Sequence, residues 1–149
     1  MDIKDMVYQG RIKVPYKWSV GEYGSRFFGE IKDNKKIFGT RCRNCNKTYI
    51  PPRKTCPDCF LPIEDWVEVG PYGTLITFTI VRYSAPLHPL PAPFAVGVIL
   101  LDGADTGIVH IIGGTDPEKI HSNMRLRPVF REKREGNYLD ISYFEPLNP

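Results

Sequence analysis

The four cysteines of this 149-residue chain stand as Cys42-Arg43-Asn44-Cys45 and Cys56-Pro57-Asp58-Cys59, a C-x-x-C, ten residues, then a second C-x-x-C. Two residues between cysteines let both sulfurs turn onto one point, with backbone N–H groups aimed at them. Two such knuckles facing each other supply four thiolates in the tetrahedral arrangement that Zn²⁺ accepts. The spacer is long enough for a hairpin and carries Pro51-Pro52 and Lys54-Thr55 as turn and approach residues. A segment this short cannot build a core of its own, so the metal is expected to hold it. Protein sulfur fills all four coordination positions, which leaves no open site for catalysis.

Other uses of four cysteines fit less well. The opening Met1-Asp2-Ile3-Lys4-Asp5 lacks a basic flank followed by an apolar stretch, so a reducing cytoplasm is the expected compartment and disulfides are disfavoured. A thioredoxin-type redox pair needs one C-x-x-C in a βαβ context. Rubredoxin-like iron remains an alternative, although such knuckles usually carry Gly after the second cysteine, where Asn46 and Phe60 stand here.

Around the cysteines the pattern is mainly β. Residues 1–20 read as an irregular arm that Pro15 and Trp18 could anchor. In residues 21–36, Phe27, Phe28 and Ile31, joined by Tyr23 and Gly24, recur at offsets of three and four with charges between them. This predicts an amphipathic helix capped by Ser19 and ending near Asp33-Asn34. Five strand-like runs follow, at 73–83, 94–101, 107–112, 125–132 and 138–144. In the first, Leu75, Thr77, Thr79 and Val81 alternate with Ile76, Phe78, Ile80 and Arg82. Asp116-Pro117-Glu118 starts a short helix between the third and fourth runs. Five strands with a helix between the third and fourth is the order of an OB-fold barrel, with a generic small barrel or sandwich as the alternative. The expected domains are 1–36 (arm and helix), 37–68 (a rubredoxin-like zinc ribbon) and 69–149 (a five-stranded OB-fold). The longest apolar run, residues 94–101, is far short of the ~20 residues that a membrane-spanning helix needs.

Enzyme signatures are missing from this pattern. There is no G-x-S-x-G elbow and no P-loop. Gly113-Gly114-Thr115 reads as a turn into the capped helix. His110 lies in an apolar strand and is expected to be a satisfied barrel histidine. His121 follows the short helix. His88 sits in the proline-stiffened stretch Pro86 to Pro93, which joins the first two barrel strands, a region where OB-folds often bind ligands.

Residues 27–73 bring these parts together. Phe27-Phe28, Cys42 and Cys45, Tyr49-Ile50-Pro51-Pro52-Arg53, Cys56-Pro57-Asp58-Cys59 and Trp66 follow one another, and Gly73-Thr74 and Phe78-Thr79 open the barrel. The combination resembles the acyl-CoA-associated zinc-ribbon/OB-fold family, long known only as a domain of unknown function. The similarity continues through Gly114-Thr115-Asp116-Pro117-Glu118 and covers about residues 20–146. The resemblance implies a non-catalytic accessory subunit in a hetero-oligomer. The expected partner is a thiolase or thiolase-like enzyme, such as one cleaving a benzoylsuccinyl-CoA type substrate in aromatic degradation. It also implies structural Zn²⁺ on Cys42, Cys45, Cys56 and Cys59, and CoA or a CoA thioester as ligand of the complex. Phe27, Phe28, Arg53, Arg82, Tyr83 and His88 are the residues expected to face the partner or the acyl-CoA.

The competing function is single-stranded nucleic-acid binding, which zinc ribbons and OB-folds often perform. Arg125, Arg127, Arg131 and Lys133 share one face of a strand, next to Arg134. The net charge speaks against it. Four thiolates and one Zn²⁺ take two units off the formal +3, leaving about +1.

Overall fold

The computed structural model describes residues 6–7, 10 and 15–147. The rest of the expected N-terminal arm lies outside the described residues. Trp18 is exposed and packs on Tyr16, with ring centroids 5.0 Å apart.

Helix α1 spans Gly21–Asn34. Ser19 Oγ accepts from the Gly21 N–H at 3.1 Å, while Val20 occupies the N-cap position. The helix stops where Lys35 turns left-handed and its N–H returns to the Glu30 carbonyl. The expected apolar face is real: Phe27 and Ile31 are buried and Phe28 packs beside them.

The ribbon is a three-stranded antiparallel sheet in the order β2-β1-β3, made of β1 (Ile37–Cys42), β2 (Lys47–Tyr49) and β3 (Asp65–Val69). Gly39 lets β1 pass close to β2, because a Cβ there would lie 2.6 Å from the Tyr49 carbonyl oxygen.

The second part is a closed barrel of β4 (Gly73–Val81), β5 (Phe94–Leu101), β6 (Ile108–Ile112), β7 (Arg125–Phe130) and β8 (Ile141–Pro146), ordered β4-β5-β6-β8-β7. β4 pairs with β7 to close it, and only β6–β8 is parallel. This is the five-stranded OB-fold that the strand order predicts. The expected short helix is a single 3₁₀ turn, Pro117–Lys119, with Asp116 accepting from the Glu118 N–H at 3.0 Å.

Two details differ from the sequence pattern. A bulge between Leu75 and Thr77 shifts the register of β4. Leu75 stays buried, but Thr77 and Thr79 turn outward while Phe78 packs on the core. Gly97 gives the room, since a Cβ there would lie 2.5 Å from Leu75 Cδ1 and 2.9 Å from the Thr77 carbonyl oxygen. The last run begins as a 3₁₀ turn, Tyr138–Asp140, and becomes a strand only at Ile141. Asn137 caps that turn through Leu139, and the Asp140 carboxylate reaches back to the Asn137 N–H.

One apolar cluster joins the parts. Phe27 and Ile31 from α1, Ile37, Ile50 and Val69 from the ribbon, and Leu75, Ile99, Leu126 and Phe144 from the barrel belong to it. Polar ties add to the seam: Thr48 N–H donates to Asp105 Oδ2 at 2.7 Å, and Ile50 N–H to Thr106 Oγ1 at 2.8 Å.

Asp140 is buried and accepts backbone N–H bonds from Glu135, Gly136 and Asn137 at 2.9, 2.7 and 3.3 Å. Burial pushes its pKa up, but the three N–H groups and the charge of Arg131 together outweigh burial and hold it below the usual carboxylate value. A depressed folded-state pKa stabilises above the unfolded value and loses that stability as pH falls through the folded one. Asp140→Asn is therefore expected to cost ~1–3 kcal/mol at pH 7. The gap to the wild type should narrow in urea melts taken below ~pH 3.8, the ordinary carboxylate range.

Candidate metal centre and surrounding surfaces

The two knuckles bring Cys42, Cys45, Cys56 and Cys59 together, with all four Sγ atoms within 4.8 Å of one another. Cys42 Sγ lies 3.5 Å from Cys59 Sγ, and Cys45 Sγ lies 3.8 Å from Cys56 Sγ. A regular tetrahedron of sulfurs at the Zn–S distance has edges of ~3.8 Å. The four thiols fit a zinc ion by donor type, number and spacing. They are positioned to bind a metal as a zinc ribbon.

Local structure explains how. Cys42 ends β1, and Asn46 adopts a left-handed φ of 56° that swings the first knuckle into β2. Phe60 does the same at φ 60° after the second knuckle, where Phe60 N–H and Cys56 N–H bond to the carbonyls of Cys56 and Leu61. These two residues stand where rubredoxin-type knuckles usually carry glycine. Beneath the sulfurs lies a small second core of Cys42, Tyr49, Cys56 and Ile63.

The sulfurs differ in surroundings. Burial would raise the Cys56 thiol, but the Tyr49 hydroxyl and the backbone N–H groups of Cys59 and Asp58 outweigh it and bring the pKa to about 6. Hydrogen bonding to Cys59, followed by burial, pushes Cys45 up to about 12. Cys56 is the readiest of the pair to become a thiolate.

The other expected site residues fall into separate places. Phe27 is 1% exposed and belongs to the main core, so it faces neither a partner nor a tunnel. The helix turns it inward together with Ile31, four positions on. Phe28 keeps exposed surface beside Phe27 and Tyr138, with centroids at 5.2 and 6.5 Å. Arg53 lies in the knuckle spacer with its guanidinium 6.0 Å from the Tyr49 ring, and its backbone is pinned by the buried Thr40 hydroxyl. Arg82, Tyr83 and His88 sit on the β4–β5 loop, at the end of the hairpin away from the ribbon. Arg82 pairs with Glu118 at 2.6 Å. His88 lies between Tyr83 and Phe94, with centroids at 5.1 and 5.5 Å. Arg53 and this loop do not form one site.

His110 is a structural histidine. Its Nδ1 accepts from the Ile111 N–H at 2.9 Å, and Nε2 faces the Tyr138 carbonyl at 3.2 Å, which assigns the neutral Nε2–H tautomer. Burial pulls its pKa below the usual histidine value.

Two arginines of the basic strand are paired within the fold. Arg125 makes a two-pronged pair with Asp102 at 2.8 and 2.5 Å, and Arg127 pairs with Glu145 at 2.7 Å. Arg134 donates to the carbonyls of Lys32, Arg131 and Glu132. Carboxylates on the same surface break up the stripe that a polyanion would follow.

Two features were missed in the sequence. Arg26 stacks over Trp66 at 4.4 Å, and Tyr23 packs against the same ring at 5.2 Å. Tyr49, which the sequence presents only as part of a motif, touches the metal site directly through Cys56. The three-residue offset of Tyr23 and Arg26 on one helix was the available signal for the first. Nothing in the spacing signals the second.

Among the described residues, no helix is long and apolar enough to cross a membrane.

Comparison with known proteins follows the same two parts. Residues 30–60 match the family profile of the ChsH2 rubredoxin-like zinc ribbon domain, and residues 66–131 match that of the ChsH2 C-terminal OB-fold domain. A DUF35 domain-containing scaffold protein of Methanocaldococcus jannaschii is 28% identical over 127 residues, covering 82% of this chain and 89% of that protein. One of the same description from Pyrococcus furiosus is 24% identical over 111 residues, covering 74% and 80%. A solved structure described as the Ltp2-ChsH2(DUF35) aldolase superposes with a TM-score of 0.65 at 22% identity, over 87% of this chain and 98% of that one. A DUF35 protein of unknown function from Sulfolobus solfataricus gives 0.63 at 21% identity, over 85% and 84%. At such identities the two structures speak for the fold. The ribbon matches one ChsH2 profile and the barrel the other, in that order along the chain, so the chain is similar to ChsH2 and DUF35 proteins in both of its parts.

Proposed function

We infer that this protein is a non-catalytic accessory subunit that docks on a thiolase-type acyl-CoA enzyme in the cytoplasm. In that role it supports assembly of the complex and placement of CoA or its thioester, in a degradative pathway for aromatic or other CoA thioesters. A thiolase acting on a benzoylsuccinyl-CoA type substrate is one such partner. Zn²⁺ on Cys42, Cys45, Cys56 and Cys59 serves structure alone, because four protein sulfurs leave it no position for substrate. When bound, the metal supplies a cross-link between the knuckles.

The observation that carries this reading is the β4–β5 loop. Tyr83, Leu87 and Leu90 are 69%, 95% and 40% exposed there, on a segment stiffened by Pro86, Pro89, Pro91 and Pro93. Aromatic and aliphatic side chains held out on a stiff loop lose little freedom when buried by a partner. The scaffold description of the relatives supports the same role. The aldolase description of the structural neighbour makes an aldolase the other partner to test.

Leu87→Asp tests the loop. The side chain is 95% exposed, so the free protein should keep its stability to within ~0.5 kcal/mol. Elution with the partner enzyme should weaken at least ~10-fold, as when a charge is forced into an apolar contact. Unchanged binding by this variant would move the interface elsewhere. Capture of an aldolase rather than a thiolase would keep the accessory role and change the partner class.

A further inference from the structure

Tyr49 is 3% exposed and has one hydroxyl proton for two neighbours. Its oxygen lies 3.4 Å from Cys56 Sγ and 3.1 Å from Asp58 Oδ2. The Lys47 ammonium donates to that same Oδ2 at 2.8 Å. While Cys56 is a thiol, its S–H donates to the tyrosine oxygen and the tyrosine proton goes to Asp58. A metal-bound Cys56 has lost its proton. Sulfur and carboxylate then both accept, and one O–H cannot serve both fully.

Lys47 biases the choice. By taking charge off the very oxygen that competes for the hydroxyl, it leaves more of the O–H to the sulfur. Among the described residues, no other hydroxyl bonds to a ligand sulfur. Cys45 Sγ has the Asn44 amide at 3.9 Å, and Cys42 Sγ has the Cys45 N–H at 3.5 Å. The four ligands are therefore not equivalent.

The geometry points to Tyr49, Asp58 and Lys47 as a relay of positioning residues that sets the donor strength of Cys56, and through it the affinity of the ribbon for its metal. The relay requires that the ribbon bind a metal and is independent of any partner enzyme. Groups that orient and polarise a ligand typically change metal affinity ~10–100-fold when removed.

The test uses the full metal-free chain, titrated with Co²⁺ and then with Zn²⁺ against a chromophoric chelator. Tyr49→Phe keeps the ring and removes the proton. It should weaken Zn²⁺ binding ~10-fold and move the sulfur-to-cobalt charge-transfer bands. Lys47→Met should weaken binding and Asp58→Asn should tighten it. Through-space charge alone gives those last two signs as well, so both are repeated with Tyr49→Phe present. The relay requires that their effects shrink strongly there. An unchanged affinity and spectrum for Tyr49→Phe, or undiminished Lys47 and Asp58 effects in its presence, would overturn the relay. Should Tyr49→Phe fail to fold, Lys47→Met and Asp58→Asn in the native chain must shift the cobalt bands in opposite directions. Unmoved bands would overturn it equally.

Discussion

Removing the metal, or replacing Cys56 with serine, is expected to melt the ribbon and lower the thermal midpoint of the whole chain by ~10–20 °C, as for a loss on the order of 5 kcal/mol in a domain of this size. The reason is the size of what lies beneath the sulfurs. Among the described residues, Cys42, Tyr49, Cys56 and Ile63 form that core, with Cys45 and Cys59 half-buried at its rim. So few side chains cannot offset the backbone entropy of two knuckles and a ten-residue spacer. Without a metal, four thiols crowd within 4.8 Å, and the second knuckle keeps only polar ties such as Thr40 to Arg53 and Lys47 and Tyr49 to Asp58. The loss spreads because Ile37, Ile50 and Val69 of the ribbon belong to the same cluster as the barrel residues. Thermal melts with and without a chelator, alongside a count of reactive thiols, check this. The chelated protein should expose four thiols and melt early. An unchanged midpoint with all four thiols reactive would show that the ribbon holds itself.

Phe27→Ala should cost ~3–5 kcal/mol, a drop in midpoint of about 10 °C or more. The side chain is 1% exposed and lies where the helix, ribbon and barrel meet, so no neighbouring chain can close the cavity without moving an element. Phe28→Ala, one residue on, should cost less than half of that, because Phe28 is already partly in solvent. Its larger effect is expected on binding of the partner or acyl-CoA. Thermal melts and co-elution of the two variants separate the roles. Equal midpoints for both would contradict the burial seen here.

These adjacent phenylalanines show where the sequence speaks clearly and where it falls silent. Spacing of three and four names the face of α1, but not which of two neighbouring aromatics lies at its centre. The cysteine spacing is legible because the knuckle is local: two residues decide where two sulfurs point. The strand order is equally legible, and closure into a barrel follows from it. The β4 bulge is not, because one extra residue is accommodated only where Gly97 on the neighbouring strand makes room. The turn at 138–140 hides inside a β-like run because what shapes it is the Asp140 carboxylate holding three backbone N–H groups behind it. The pairing of Arg125 and Arg127 is hidden because Asp102 and Glu145 are 23 and 18 residues from them in sequence. The proton of Tyr49 is the least legible, since its two acceptors meet only after both knuckles have closed.

The claim that this is a subunit rather than an enzyme or a nucleic-acid binder is tested most directly by co-expressing the full chain with a thiolase-type acyl-CoA enzyme and measuring the complex by native mass spectrometry. One assembly containing both chains is expected, with one zinc per copy of this chain. Thioester cleavage should be raised in the complex and absent from this chain alone. Separate masses at micromolar protein, with the enzyme's activity unchanged by addition of this chain, would contradict it.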